Sequence, residues 1–358
     1  MFNRKEPYNS LPPLPPKGFS ESVPIFRKTI RASRALAQLN GAIVDLPNKN
    51  LFIDTLHLQE AKASSAIENI VTTNDELYRS AVSSMKEIDP ATKEILGYRE
   101  AIWFGLEQLE NRPFITTNMC VGIMQRIKQN TSGIRKTPGT TLANSQGQVV
   151  YTPPSGEDTI REKLADLERF IHADDALDPL VKMALMHYQF EAIHPFVDGN
   201  GRTGRILLML YLKMSGLLEI PAIFLSSYIL DHRNDYYKNL RGVTEKEEWE
   251  SWILYMLDMI EKTSLVALKR MADIRSLMDR MSVEIRNALP KIHSMEMIEA
   301  LFHLPYIKRQ QLSESRSIAP KTAGNHLQAL EEKGFLKGEM VGKEKLYLNF
   351  RLIEVLED

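Results

Sequence analysis

The stretch Ile206–Lys213 is apolar on nearly every side of a helix, and it constrains the fold more than any other feature of the chain. A helix without a polar face must be covered by neighbours on all sides, so we place it at the centre of a helical bundle. The stretch is far shorter than the roughly 18 apolar residues that a helix needs to cross a bilayer. We therefore expect an all-α core built around this helix and no membrane span.

Apolar residues recur with helical spacing through most of the chain before Pro290. This spacing predicts helices near residues 24–40, 54–69, 74–87, 90–111, 117–129, 157–173, 178–192, 233–241, 246–262 and 264–288. Gly41 stands where the first of these helices would end. The proline-dense segment Leu11–Pro16 cannot be helical, and we expect an extended strap laid over the fold, with a PxxP ligand as the alternative.

The residues between Gly133 and Pro154 have a different character, since Thr, Val and Tyr appear there with Gly and Pro. Thr140–Leu142 and Val149–Tyr151 flank the turn-like segment Asn144–Gly147, and this arrangement predicts a β-hairpin. We expect this hairpin to interrupt an otherwise helical pattern.

The charge balance and the cysteine content exclude several classes of protein. The 358 residues include 45 Lys and Arg against 46 Asp and Glu, so the formal net charge is −1. This balance excludes bulk electrostatic attraction to nucleic acid or to an anionic membrane. The single cysteine, Cys120, excludes an internal disulfide framework and an all-cysteine zinc site, and it fits a reducing compartment. We expect a cytoplasmic protein of about two domains.

The residues after Pro290 have the pattern of a separate unit. Helices are predicted near 293–303, 308–314 and 320–333, and short strands at Gly334–Leu336 and Lys345–Leu348. Three helices and a two-stranded wing are typical of a winged helix-turn-helix. Residues 306–347 hold eight basic and five acidic residues, which suits DNA, although winged helices also bind proteins. The outward-facing positions of the recognition helix would be Lys321, Thr322, Asn325 and His326.

The segment His194–Arg205, with the sequence HPFVDGNGRTGR, begins with groups that suit phosphate chemistry. His194 precedes a proline, which moves it out of helical geometry and presents it on a loop. An imidazole titrates near neutrality, as a general base requires. A lone carboxylate such as Asp198 suits Mg²⁺, which takes its other ligands from water and from substrate phosphates.

The second half of this segment predicts an anion site. The backbone N–H groups of Gly199–Gly201 can converge on an anion at the start of a helix. Arg202 and Arg205 lie three residues apart in the first turn of that helix, where positive charge is otherwise unfavourable. Together, the base, the carboxylate, the anion nest and the two guanidinium groups predict an enzyme that attacks a polyphosphate with a hydroxyl nucleophile.

The segment HPFVDGNGRTGR resembles the signature of Fic-domain proteins, HPFxDGNGRxxR, at every defined position. The resemblance implies an all-α, Fic-type helical bundle with a β-hairpin flap. Most members transfer AMP from ATP–Mg²⁺ to a hydroxyl side chain of a target protein, so an adenylyltransferase that uses ATP and Mg²⁺ is implied. Residues 134–152 would form the flap and bind the target protein by strand addition.

The same resemblance implies a role for each residue of the loop. His194 would deprotonate the target hydroxyl, and Asp198 would hold Mg²⁺ between the α- and β-phosphates. Phosphate oxygens would be bound by Gly199, Asn200, Gly201, Arg202 (on the β-phosphate side) and Arg205 (on the γ-phosphate). Phosphorylating relatives have lysine at the position of Gly201, so glycine there favours nucleotidyl transfer.

Residues further along the chain extend the resemblance. Tyr236–Tyr237 begins a segment similar to the family's YYxxL sequence near the adenine, which assigns Tyr237 to the nucleotide. Some members place an asparagine seven residues after the second tyrosine, where this chain has Thr244. We expect Phe196 and Trp252 to be core residues and not to take part in chemistry.

The segment Ser64–Asn69 is similar to the family's inhibitory motif, (S/T)xxxE(G/N), through Ser64, Glu68 and Asn69. Ser64 and Glu68 are four residues apart and share a helix face. A carboxylate on that face can pair bidentately with an arginine. If that arginine is Arg205, the γ-phosphate loses its partner, so the resemblance implies an autoinhibited enzyme.

The whole layout resembles bacterial Fic proteins that have an N-terminal inhibitory motif. It divides the chain into an arm and inhibitory region at 1–110, a catalytic core at 111–289 and a winged helix at 290–358, and we expect a homo-oligomer. Two alternatives stay open. One is a DNA-binding regulator, contacting DNA through 306–347, whose core senses nucleotide. The other is a transferase for another phosphate-containing group.

Overall fold

The computed structural model describes residues 2–44, 46, 48, 50–83, 88–144 and 146–357, and within these residues the chain is mostly helical. The helices before the hairpin are α1 (Val23–Val44), α2 (Asn50–Ile67), α3 (Asn74–Val82), α4 (Pro90–Asn111) and α5 (Thr117–Lys128). The hairpin consists of β1 (Leu142–Ala143) and β2 (Val149–Tyr151). The following helices are α6 (Glu157–His172), α7 (Pro179–Ile193), α8 (Asn200–Met214), α9 (Leu225–Asp231), α10 (Arg233–Lys246) and α11 (Trp249–Ala288).

The last part of the chain forms helices around a small sheet. Its elements are α12 (Met295–His303), β3 (Tyr306–Lys308), α13 (Arg309–Ser315), α14 (Pro320–Glu332), β4 (Lys337–Val341), β5 (Glu344–Leu348) and α15 (Phe350–Glu357). The three strands are antiparallel in the order β3-β5-β4. No helix among the described residues is long and apolar enough to span a membrane.

Helix α8 lies at the centre of the bundle, as the apolar run predicts. Every residue of Arg202–Leu212 is buried. Helices α2, α4, α5 and α7 pack against it. A Cβ atom on Gly105 of α4 would come within 2.5 Å of Leu210, so the absence of a side chain lets α4 approach the central helix closely.

Several helix boundaries differ from the sequence prediction. Gly41 does not end α1, which continues to Val44. The two helices predicted at 246–262 and 264–288 are one helix, α11. The hydroxyl groups of Thr263 and Ser264 donate to carbonyl oxygens one turn back, so these polar residues do not break it. Helix α9 was missed, and residues 84–87 of the predicted helix 74–87 lie outside the described residues.

The N-terminal arm runs over the core as an extended strap, which confirms that prediction. The Tyr8 N–H donates to the Thr152 carbonyl oxygen at the end of the hairpin over 3.0 Å. Leu11 is buried, and its carbonyl oxygen accepts a hydrogen bond from Lys163. Gln189 of α7 donates to the Pro12 carbonyl oxygen, so the strap connects the hairpin to the bundle.

The predicted hairpin is present. Strands β1 and β2 are antiparallel, with an irregularity in register between Leu142 and Ala143. The N–H of Asn144 donates to the carbonyl oxygen of Gln148, and Ser145 of the predicted turn lies outside the described residues.

The C-terminal unit contains more structure than the sequence predicted. The strand expected at Gly334–Leu336 is wrong, since β4 begins at Lys337. Strand β3 and helix α15 were missed, and α15 packs on α11. Lys321, Thr322 and Asn325 of α14 are exposed, as predicted, whereas His326 is half-buried against Arg316.

Helix α2 is bound to this C-terminal unit through Thr55 and Gln59. The Thr55 hydroxyl donates to the His303 carbonyl oxygen, and the Gln59 amide donates to the Leu356 carbonyl oxygen, each over 3.0 Å. The second half of α2, which carries Ser64, reaches α8. One helix therefore contacts the C-terminal unit and the central helix.

Two glycine-to-alanine substitutions test the packing around α8. Gly105→Ala should lower the free energy of unfolding by about 1–3 kcal/mol, because its methyl group overpacks against Leu210. Gly41→Ala should raise the free energy of unfolding by about 0.5–1 kcal/mol. Alanine favours a helix more than glycine does, and a Cβ atom at this position of α1 would have no neighbour within 4 Å. Urea unfolding followed by circular dichroism measures both changes. Equal effects of the two variants would contradict the close approach of α4 and α8.

Candidate active site

The segment between α7 and α8 is a turn that places His194 at its start. His194 ends α7 in the left-handed conformation, with φ 49° and ψ 59°, and its N–H donates to the Phe190 carbonyl oxygen. The following proline excludes continued right-handed helix, so the predicted loop presentation is confirmed. Phe196 is buried, as expected for an anchor of the loop.

Asn200 braces this turn from inside. Its Oδ1 accepts from the Phe196 N–H, and its Nδ2 donates to the Phe196 carbonyl oxygen, both over 2.8 Å. The side chain is buried, and Gly199 before it has a φ of 85°, which favours glycine. The structure thus gives the Asn200 amide a part in shaping the loop, which the sequence analysis did not consider.

Arg135, at the start of the flap region, also holds the turn, and the sequence analysis missed it. Its guanidinium donates to the carbonyl oxygens of Ile193 and His194 and to that of Pro154. The side chain is almost fully buried. No local sequence signal distinguishes this arginine, because its partners are backbone atoms brought close only by the fold.

The environment of His194 changes its protonation. Burial, assisted by the positive charge of Arg135, lowers the pKa of His194 to about 4. The pKa of His194 thus lies below the ordinary value of about 6.5 for an imidazole. The imidazole is neutral at pH 7, and its buried Nδ1 has no hydrogen-bond partner among the described residues. The ring is ready to accept a proton throughout the neutral range.

This protonation state is directly measurable. NMR titration of the full chain with labelled histidine should show the His194 ring unprotonated from pH 8 to pH 5.5, because its pKa of about 4 lies below that range. The His194→Gln variant identifies the resonance by its loss. A midpoint above pH 6 would contradict the burial of the ring.

Arg205 is bound by the helix that carries the inhibitory motif. Its side chain is almost fully buried, and its Nη2 lies 2.9 Å from Glu68 Oε1. Its Nε donates to the Ser64 hydroxyl over 2.8 Å, and Nη2 donates to the Ser64 carbonyl oxygen over 3.0 Å. Burial raises the pKa of Glu68, but the charge of Arg205 and its hydrogen bond outweigh burial, so the pKa of Glu68 lies below its usual value.

The backbone after Glu68 explains the last position of the motif. Asn69 has a φ of 62°, in the left-handed region that glycine and asparagine tolerate best. Its N–H donates to the Ala66 carbonyl oxygen, and the N–H of Ile70 donates to that of Ser65. These two bonds form a Schellman motif that ends α2. Glu68 therefore stands at the helix end, beside the start of α8.

Gly201 makes this approach sterically feasible. A Cβ atom at Gly201 would lie 2.6 Å from Glu68 Oε1 and 2.9 Å from Arg205 Nη1. Any side chain at this position would have to displace the carboxylate or the guanidinium. The glycine that the resemblance connects with nucleotidyl transfer thus also leaves room for the ion pair in the geometry seen here.

Arg202 and Asp198 belong to a second charged cluster. Arg202 is almost fully buried, and its guanidinium contacts Glu94 of α4 over 2.5 Å and Asp198 over 3.4 Å. Lys128, at the end of α5, lies 2.6 Å from both Glu94 and Asp198. Glu94 and Lys128 were missed by the sequence analysis, because nothing in a sequence connects two ordinary helix charges to a distant loop.

The Asp198 carboxylate is compatible with Mg²⁺. Its side chain is 61% exposed, so it is accessible to a ligand from solvent. No group of three or more His, Cys, Asp or Glu residues in the described part of the chain could hold a metal. Mg²⁺ nevertheless binds through one or two carboxylates when substrate phosphates supply the other ligands, and Asp198 fits that role.

The tyrosine pair on α10 divides between the core and the surface. Tyr236 is buried, and its hydroxyl lies 2.8 Å from His187 Nε2. Tyr237 is 39% exposed, with its ring beside the Arg233 guanidinium. Thr244 bonds to the Tyr188 hydroxyl and is part of the packing. Trp252 is fully buried, as predicted.

Family models match three regions of the chain. Residues 114–212 match the Fic/DOC family, and residues 26–107 match the N-terminal region of the Fic/DOC family. Residues 277–352 match the C-terminal domain of SoFic-like protein adenylyltransferases.

Curated proteins similar to the chain include protein adenylyltransferases. The fic-1 protein of Caenorhabditis briggsae is 37% identical over 92 residues, which are 25% of this chain and 17% of that protein. The Fic protein of Drosophila yakuba is 26% identical over 234 residues, which are 65% of this chain and 45% of that protein. The chain thus covers less than half the length of these relatives.

Solved structures share the fold. A Fic family protein from Desulfovibrio desulfuricans G20 superposes with a TM-score of 0.58 at 17% identity, covering 92% of this chain and 97% of that one. Fic-1 from C. elegans, residues 134–508, superposes with a TM-score of 0.53 at 19% identity, covering 71% and 74%. The chain therefore has the fold of solved Fic proteins, and its match to the Fic/DOC family model includes the hairpin and the whole α7–α8 turn.

Proposed function

We propose that the protein is an autoinhibited protein adenylyltransferase, which moves AMP from ATP–Mg²⁺ to a Tyr, Ser or Thr hydroxyl of a target protein, with itself as one candidate target. The observation that carries this proposal is the α7–α8 turn. It presents a neutral imidazole at His194, a carboxylate at Asp198 and a buried guanidinium at Arg205. The named activity of the similar curated proteins supports the same reaction.

His194 acts as the general base in this proposal. Its neutral ring accepts the proton of the target hydroxyl, whose oxygen forms a bond to the α-phosphorus while the bond to the β-phosphate oxygen breaks. The products are an AMP ester on the target and pyrophosphate. Asp198 would hold Mg²⁺, which when bound neutralises phosphate charge.

The start of α8 binds the phosphates. Backbone N–H groups of Gly199–Gly201 lie at the N-terminus of this helix, where they would bind a phosphate oxygen. Arg202 would serve the β-phosphate side and Arg205 the γ-phosphate. Tyr237, which is partly exposed, would contact the nucleotide base.

Glu68 inhibits by occupying Arg205. Both the Glu68 carboxylate and Ser64 use guanidinium nitrogens that a γ-phosphate would need. Because Asn69 ends α2 at this point, the carboxylate is held in place by backbone geometry and not by a mobile loop. ATP can bind productively only when Glu68 has left the guanidinium.

The hairpin would clamp the target. Strand β1 has no further strand on its outer side among the described residues, and its edge is open to pairing with a target segment. Residues 134–152 would thereby hold the acceptor hydroxyl beside His194.

The C-terminal residues 290–358 would form a winged helix. Exposed Lys321, Thr322 and Asn325 on α14 favour a second candidate function, DNA-linked regulation by this unit. The division into 1–110, 111–289 and 290–358, the homo-oligomer and the cytoplasmic location stay predictions.

Label transfer from ATP tests the proposed reaction. With α-labelled ATP and Mg²⁺, Glu68→Gly should modify protein at least about tenfold faster than the wild type, a factor that corresponds to about 1.4 kcal/mol, because loss of the carboxylate frees Arg205 for the γ-phosphate. The isosteric Glu68→Gln should rise less, since its amide can still contact Arg205. Adding His194→Ala to Glu68→Gly should abolish labelling.

Parallel reactions decide between this proposal and its alternatives. Label from the γ-position alone would mean phosphorylation, and label from UTP or a cytidine donor alone would mean another transferred group. Full activity of the double variant would exclude His194 as the base.

A further inference from the structure

Lys128 stands between two carboxylates at the edge of the proposed nucleotide site. Its Nζ lies 2.6 Å from Glu94 Oε1 and 2.6 Å from Asp198 Oδ2. The Lys128 side chain is 21% exposed, and that of Glu94 is 23% exposed. The ammonium is therefore a partly buried cation, already placed on the carboxylate to which the proposed function assigns Mg²⁺.

Both oxygens of Asp198 are engaged in this arrangement. Oδ2 faces Lys128, and Oδ1 accepts from the Gly199 N–H over 2.5 Å and lies 3.4 Å from Arg202 Nη2. A divalent cation that binds Asp198 through Oδ2 competes with the ammonium for that oxygen.

Glu94 gives the ammonium a second partner. Glu94 Oε1 contacts both Lys128 and Arg202, so it compensates two cations at once. When Lys128 loses Asp198, it keeps Glu94 and does not become an unpaired, partly buried charge, which would be costly. The arrangement therefore gives the ammonium a carboxylate partner both before and after a divalent cation binds Asp198.

We propose that Lys128 is the resident counter-cation of Asp198, that a divalent cation displaces it, and that Glu94 retains the displaced ammonium. This inference rests on the proposed function, because that function makes Asp198 a metal ligand. Lys128 is then a positioning residue that sets how strongly the site holds a divalent cation.

Binding of Mn²⁺ alone to the full-length chain, followed by electron paramagnetic resonance, tests the proposal without any turnover. Lys128→Gln should bind Mn²⁺ more tightly than the wild type, by up to about fivefold, the range expected for loss of a partly exposed ion pair. Lys128→Arg keeps the charge and should bind as the wild type does. Lys93→Gln, at an exposed position beside Glu94, removes a nearby charge and should have a smaller effect.

Glu94→Gln gives a change of opposite sign. Without the second carboxylate, Lys128 depends on Asp198 alone, so Mn²⁺ binding should weaken relative to the wild type. If circular dichroism shows that Lys128→Gln does not fold, Mn²⁺ binding by Glu94→Gln tests the proposal in its place. Tighter Mn²⁺ binding by Glu94→Gln would overturn the proposal.

Asp198→Asn distinguishes failure of the counter-cation proposal from failure of the metal assignment to Asp198. If Asp198→Asn loses Mn²⁺ while Lys128→Gln binds no tighter than the wild type or Lys93→Gln, the counter-cation proposal is wrong and the metal assignment stands. If Asp198→Asn binds Mn²⁺ unchanged, or no variant binds Mn²⁺, the metal assignment itself fails.

Discussion

Arg205 carries a positive charge into the interior of the bundle, and Glu68 compensates it at 2.9 Å. A guanidinium does not lose its proton in a protein, so burial obliges the fold to supply an anion. Two further carboxylates near Arg205 do not supply a full charge, because desolvation raises the pKa of Glu60 and that of Glu191 to about 7. Glu68 is thus the carboxylate whose pKa favours ionisation at this arginine.

In the proposed function, this requirement connects inhibition with nucleotide binding. The Glu68 carboxylate, which now pairs with the buried guanidinium of Arg205, would compete for it with a γ-phosphate oxygen. Glu94 stands in a similar relation to Arg202 on the other side of the turn. The two arginines at the start of α8 are therefore each paired with a carboxylate from an earlier helix. Arg202 pairs with Glu94 of α4, and Arg205 pairs with Glu68 at the end of α2.

The sequence predicted the parts of this site that depend on short-range patterns. The all-round apolar run identified α8, and the proline after His194 identified the turn. The i,i+4 spacing of Ser64 and Glu68 placed both on the face that meets Arg205. In each case the cause lies within a few residues of the consequence, so a pattern can reveal it.

What the sequence could not predict depends on contacts between distant segments. Arg135 binds backbone carbonyl oxygens, which leave no trace in the side-chain pattern. Lys128 and Glu94 resemble any solvated helix charges until the fold brings them to Asp198. The lowered pKa of His194 has the same origin, since burial and a neighbouring charge are properties of the assembled bundle. Thr263 and Ser264 led to the opposite error. These polar residues predicted a break between two helices, but α11 continues through them and their hydroxyl groups bond to its backbone.

Helix α2 contacts both the C-terminal unit and the central helix α8. Thr55 and Gln59 donate hydrogen bonds to the C-terminal unit, and Glu68 at the end of the helix contacts Arg205. A displacement of the C-terminal helices that carries Thr55 and Gln59 with it would act on the end of the same helix. Any such coupling is reciprocal. A group that took the place of Glu68 at Arg205 would then change the docking of the C-terminal unit by the same free energy with which docking changes the affinity for that group.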